Sequence, residues 1–154
     1  MTVRRFLGPL FALALVFSMA AACPVTPATA SPHSHPLNPA PIEISADGAE
    51  IVKLVNEQRV AVGCDELNTD GSMVAFADNQ AKWMDNGGGF VHSRLGSPIF
   101  AENLSQGIEP GSDVVKAWLD SDEHKANMLN CSYTDTGAAF SGEFVVMVFG
   151  NASA

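Results

Sequence analysis

The sequence predicts an α+β fold in which several helices pack around a small antiparallel sheet. Apolar residues recur at helical spacing over 47–62 and 72–86, which predicts two amphipathic helices. Two β-rich segments, 136–140 and 143–149, lie near the end of the chain, and the Ser-Gly pair between them predicts a hairpin. Helices that each bury one face against a sheet form a layered domain.

The first predicted helix presents Ile51 and Val55 on its apolar face. Its charged side chains, Arg59 among them, fall on the other faces. Ser45 or Asp47 can cap its start because either side chain can accept a hydrogen bond from the first turn.

The second predicted helix begins at Ser72, which we expect to cap it. Its broad apolar stripe includes Trp83 and Met84, and three glycines at 87–89 end it. A tryptophan at this spacing favours a place in the core over a role in ligand contact, and the same holds for Trp118.

The middle of the chain carries weaker signals. Residues 90–93 are predicted to form a short extended piece, and 98–106 a short helix. Two further helices are predicted over 112–119 and 121–129, the latter capped by the serine at its start. The nearly unbroken apolar run at 145–149 predicts a strand that is buried on both faces.

Charge excludes several classes of function. Seventeen acidic residues stand against eight basic ones, which gives a net charge of −9 at pH 7. Nucleic-acid binding is not expected because no basic patch could neutralise a phosphate backbone. Phosphate-binding loops and dinucleotide fingerprints are absent from the sequence. Beyond the first twenty or so residues, no segment is predicted to span a membrane.

The N-terminal segment is predicted to direct export. Two arginines precede the uncharged run 6–22, the pattern of a secretory signal, and we predict a signal peptide over 1–30. A secreted product follows, with a Pro-rich linker over 31–44. Two alternatives stay open: a retained membrane anchor, and a lipid attached to Cys23 after a faint lipobox.

Three cysteines also fit export. If Cys23 leaves with the signal or carries a lipid, Cys64 and Cys131 can form a disulfide outside the reducing cytoplasm. The alternative is two buried free thiols. A mass measured with and without reductant distinguishes the two.

Three residues could carry chemistry: His92, Glu102 and His124. Two imidazoles and a carboxylate suit a divalent metal with one open position, and the same three could act as a general acid–base pair with an orienting carboxylate. Their spacing, 10 and 22 positions, is not that of a single metal-binding helix face. The structural alternative is that each histidine satisfies a helix end or a loop carbonyl.

The ordered motifs resemble one family. They are IVKLVNEQR at 51–59, FVHS at 90–93, AENL at 101–104 and WLDSDEHKANML at 118–129. Together they are similar to the CAP superfamily, which comprises cysteine-rich secretory proteins, antigen 5 and pathogenesis-related proteins, in its short bacterial form. Each motif is modest alone, but their order is specific.

The resemblance implies an α-β-α sandwich with an open cleft, formed by a CAP/SCP domain over 45–152. It implies that His92, Glu102 and His124 face this cleft, where they could hold Zn2+ or another divalent cation. The second cleft glutamate of eukaryotic members falls near Ser121, so a four-residue site does not carry over.

Three functions compete on this basis. We expect a secreted, non-enzymatic binding module whose cleft engages a lipid, a cell-envelope ligand or a partner protein. The alternative is a metal-dependent, peptidase-like hydrolase in which Glu102 or a metal-bound water acts as the base. The third is a structural, disulfide-stabilised domain with a vestigial cleft.

Overall fold

The computed structural model describes residues 43–152, and within them helices and a sheet confirm the predicted α+β class. The helices are α1 (Ala46–Ala61), α2 (Gly71–Trp83), α3 (Ser112–Leu119) and α4 (Asp122–Met128); the strands are β1 (Asn68–Thr69), β2 (Ile99–Gln106), β3 (Asp135–Ser141) and β4 (Phe144–Gly150). In the described part, no helix is long and apolar enough to cross a membrane. The predicted signal peptide, Cys23 and the linker up to residue 42 lie outside the described residues.

The four strands form one sheet in the order β1-β3-β4-β2. β3 and β4 form the predicted hairpin, and β2 pairs antiparallel with β4 at the sheet edge. β1 pairs parallel with β3, so the sheet is mixed and not purely antiparallel as expected. The difference comes from a two-residue strand that sequence pattern could not reveal.

The short helix predicted over 98–106 is wrong, because β2 occupies this segment. Seven residues of β2 have partners on β4, including Glu102 opposite Val148 and Asn103 opposite Met147. Polar residues interrupt the apolar pattern of the strand, although Glu102, Asn103 and Ser105 are all buried.

Two cores lie on opposite faces of the sheet because successive strand residues point to opposite sides. The first core contains residues of α1, α3 and α4 with Val145, Met147 and Phe149. The second core contains residues of α2 with Val146 and Val148. β4 is therefore buried on both faces, as predicted, and the layers are helix, sheet and helix.

The predicted N-cap residue is confirmed for α1 and wrong for α2. Ser45 caps α1, where its side chain accepts from the Gly48 amide at 3.1 Å. Asp70, and not the predicted Ser72, caps α2: its Oδ1 accepts from the amides of Ser72 and Met73. Both residue types can cap a helix, and the aspartate two residues earlier takes the role.

The charged face predicted for α1 holds one exception, since Arg59 is completely buried. Its Nε donates to the Asp65 carbonyl at 3.0 Å. Its terminal nitrogens donate to the carbonyls of Met128, Asn130 and Tyr133 at 2.8–2.9 Å. Burial lowers the pKa of the guanidinium from its usual value, and nearby Asp65 partly opposes this. Arg59 thus joins α1 to the turn that follows α4.

A disulfide holds the same region. Cys64 and Cys131 are bonded, with their Cα atoms 5.0 Å apart, which confirms the predicted pairing. They are separated by 67 positions in the chain. Closing a loop of this length contributes roughly 4 kcal/mol in the chain-entropy model.

Candidate functional site

The three predicted site residues meet around the edge strand β2. His92 lies in the irregular segment that precedes β2, Glu102 lies on β2, and His124 lies in α4. Glu102 shares the second-core face with its partner Val148, whereas the next residue, Asn103, shares the first-core face with Met147. The segment and the helix therefore approach β2 from opposite sides.

Glu102 is the buried centre of the site. Its side chain is 0% exposed, whereas that of His92 is 60% exposed. Its Oε1 accepts from His92 Nδ1 at 2.8 Å and from the Ser93 amide at 3.0 Å, and its Oε2 accepts from the Ser93 hydroxyl at 2.5 Å. A carboxylate only accepts, so His92 carries its proton on Nδ1 and its Nε2 is left for other contacts.

The backbone of His124, not its ring, connects it to β2. Asn103 donates to the His124 carbonyl at 3.0 Å, and Asn127 donates to the Asn103 side-chain oxygen, also at 3.0 Å. The pKa of His124 is lowered by burial first and by the positive charge of His92 second, while Glu123 raises it. These effects favour the neutral form of the His124 ring.

The three side chains are not grouped around a common point within the described residues. Both Glu102 oxygens are already used by His92 and Ser93. Among residues 43–152, no group of three or more His, Cys, Asp and Glu side chains is placed to hold a metal ion. The assignment of Zn2+ or another divalent cation to His92, Glu102 and His124 stays a prediction.

A groove of about 370 Å3 opens beside the bonded His92 and Glu102. It is lined by Gln80, Trp83, Val91, His92, Ser93 and Arg94. Trp83 is 48% exposed, so the prediction that it belongs to the core is wrong, whereas Trp118 is buried as predicted. Helical spacing could not reveal this, because α2 gives way to a π-helical turn at Met84–Gly88 just after Trp83.

Residues 91–94, which line the groove, are called the groove segment below. Further apolar side chains lie close to this segment in the chain. Phe90, Leu95 and Phe100 are exposed, although Phe90 also stacks on Phe144 with the ring centroids 6.3 Å apart. Phe90 and Leu95 directly flank the groove-lining residues 91–94 in the chain.

The hydrogen bonds among His92, Ser93 and Glu102 orient these side chains. They do not connect in the order that activates a nucleophile. In a serine triad the serine bonds to the histidine, and the histidine bonds to the carboxylate. Here Ser93 and His92 both donate to Glu102 and not to each other. The result is a fixed imidazole beside an apolar groove.

Comparison with known proteins agrees with this fold. A sequence profile of the cysteine-rich secretory protein family, CAP, matches residues 52–147. YkwD, an uncharacterised protein of Bacillus subtilis, is 29% identical over 128 residues, which cover 74% of this chain and 49% of YkwD. The chain therefore spans about half the length of this relative.

Solved structures share the architecture. An extracellular protein containing an SCP domain from Bacillus anthracis has a TM-score of 0.65 at 22% identity, covering 77% of this chain and 45% of that one. An outer surface protein from Borrelia burgdorferi has a TM-score of 0.62 at 22% identity, covering 71% and 96%.

Proposed function

Because this chain belongs to the cysteine-rich secretory protein (CAP) family, we propose that it is an exported binding module that takes its ligand in the groove beside His92. One observation carries the proposal: the groove combines exposed apolar side chains with an imidazole fixed by the buried Glu102. Ligand sites characteristically join a mostly apolar lining to a few well-placed polar groups.

Three observations support export. The Cys64–Cys131 bond is of a kind that persists in oxidising compartments. The uncharged run at 6–22 has the pattern of a secretory signal. Two structural neighbours are described as extracellular or outer surface proteins. Release after residue 30 and retention through a lipid on Cys23 are both compatible with these observations.

The hydrogen-bond pattern of His92, Ser93 and Glu102 favours binding over catalysis. A nucleophile needs a base that takes its proton, and the base needs a group that orients it. Ser93 and His92 instead share one carboxylate, which uses their donors to hold the groove wall. The resulting cleft has a shape and a proton-bearing ring but no activated nucleophile.

The test uses the neutral apolar dye N-phenyl-1-naphthylamine, whose fluorescence rises when it is bound. We expect saturable binding to the full chain and its loss in Trp83→Ala. Val60→Ala is the matched control, because Val60 is also an exposed apolar residue but lies on α1 at the other face of the sheet. Equal binding by all three proteins would show that the dye does not occupy the groove, and the proposal would fail.

The metal-dependent hydrolase remains the alternative outcome. It is tested with a pool of fluorogenic peptides, with and without a chelator. Turnover that is lost both with chelator and in His92→Gln would support the hydrolase over the binding module.

A further inference from the structure

Arg94 is a groove residue whose charge is not neutralised within the described residues. Most other cations are engaged: Lys53, Lys82 and Lys116 each pair with a carboxylate four positions away in the chain, and the buried Arg59 donates to carbonyls. Across residues 43–152, the side chains of Arg94 and Lys125 form no hydrogen bond or ion pair. Only Arg94 lines the groove; Lys125 lies on α4.

An unpaired cation in this place is informative because the protein is acidic. The net charge is −9 at pH 7, so the chain as a whole repels anions. Arg94 lines the groove together with His92. An anionic group in the ligand therefore has a complementary place in the groove.

The apolar half of the groove is already ordered. The Trp83 ring packs over Gly88, where a Cβ would collide with the ring. The Gln80 amide donates to the Val91 carbonyl at 2.9 Å and so ties the groove segment to α2. A wall fixed in this way loses little conformational entropy when a ligand binds.

The backbone of the groove segment favours a peptide over a hydrocarbon chain. Within the described part of the chain, the amides of His92, Arg94 and Leu95 form no hydrogen bond. Unpaired backbone groups on a groove wall can pair with an extended peptide, which is a common mode of peptide recognition. A fatty acid has no backbone groups that could pair with these amides.

We propose that the groove binds the carboxyl terminus of a peptide whose last side chain is apolar, and that Arg94 recognises the terminal carboxylate. The last side chain packs on Trp83 and Val91, and the peptide backbone pairs with the His92–Arg94 segment. This ligand class rests on the proposed function of the groove as a binding site.

The test is an NMR titration of the 15N-labelled full chain, which has two tryptophan indole signals. Trp118 is buried and donates to the Leu104 carbonyl, so its signal is the internal control for Trp83. The probes are acetyl-Gly-Gly-Phe with a free carboxylate, the same peptide as its amide, acetyl-Gly-Gly-Gly with a free carboxylate, and decanoate.

We expect the Phe acid to shift the Trp83 signal and to bind about fivefold more tightly than its amide, as suits one exposed ion pair. Arg94→Gln should bring the acid to the affinity of the amide and leave the amide unchanged. Lys53→Gln, which removes an exposed charge from α1, should change neither. The Gly acid should bind more weakly than the Phe acid.

Several results would overturn the proposal without touching the groove itself. Equal affinities of acid and amide would remove the role of the carboxylate. Tighter binding of decanoate than of the Phe acid would make the ligand lipid-like. If neither Phe peptide shifts Trp83 while the neutral dye still binds, the ligand class is wrong and the binding site stands. If the dye also fails, the proposed function itself is wrong.

Discussion

Replacing Arg59 with methionine tests whether its buried guanidinium holds α1 to the turn after α4. The substitution keeps a long unbranched stem but removes every donor. It removes the bonds to four carbonyls: the bond to Met128 is fully buried, and the other three are partly solvated. The Asn130 carbonyl still accepts from the Tyr133 amide, so three carbonyls lose their only donor. We expect destabilisation in an otherwise folded protein.

The magnitude follows from these contacts. A fully buried acceptor left unpaired costs roughly 1–3 kcal/mol, and partly solvated acceptors cost less because water can replace the donor. Removing a buried charge returns part of its desolvation cost. The net loss in the free energy of unfolding should be about 3–5 kcal/mol.

Urea unfolding followed by circular dichroism measures this loss, with the disulfide intact in both proteins. At a slope of about 1.5 kcal/mol per molar, the midpoint should fall by about 2–3 M. Lys53→Met is the control on the same helix, because Lys53 is exposed and its pair with Glu57 spans 3.8 Å. That change should cost under about 0.5 kcal/mol.

A loss below about 1 kcal/mol in Arg59→Met would refute the reasoning, because it would mean that water or the methionine stem replaces the guanidinium at little cost. A loss of similar size in Lys53→Met would also refute it, since the effect would then belong to α1 and not to buried hydrogen bonds.

Three further predictions concern the site. Glu102→Gln should cost about 1–3 kcal/mol in thermal unfolding, because an amide cannot accept from His92 and Ser93 at both of its polar atoms; an unchanged midpoint would contradict this. Gly88→Ala should displace the Trp83 ring and weaken dye binding several-fold while thermal stability changes little, and unaltered binding would show that the ring adapts. The lowered pKa of His124 means that the unfolded chain binds more protons below about pH 6.5. Stability should therefore fall as pH drops from 7.5 to 5, and by less in His124→Gln; equal losses would remove this contribution.

Local patterns predicted most of the fold. α1 and α3 have the predicted bounds within one residue, because one face of each helix is buried and the apolar spacing records it. The β3–β4 hairpin was predicted from two β-rich segments and the Ser-Gly turn between them, and the apolar run is that of β4. These elements depend on neighbours close in the chain.

Contacts distant in the chain explain what was missed. The residue pattern of β2 did not predict a strand, because Glu102 and Asn103 are polar but buried. Their hydrogen-bond partners lie on the preceding segment and on α4. Arg59 was expected at the surface because its four acceptors come from positions 65 to 133. The motif order brought His92 and Glu102 into one hypothesis, but it could not reveal Arg94 or the exposed Trp83.

The alternation of Glu102 and Asn103 along β2 has a consequence for hydrogen exchange. Glu102 holds the segment at His92 and Ser93, and the next residue, Asn103, holds the α4 backbone at His124. If β2 separates from β4, both attachments are released in the same event. Amide protons of the groove segment and of α4 should then exchange with solvent as one cooperative opening unit, although they pack on opposite faces of the sheet.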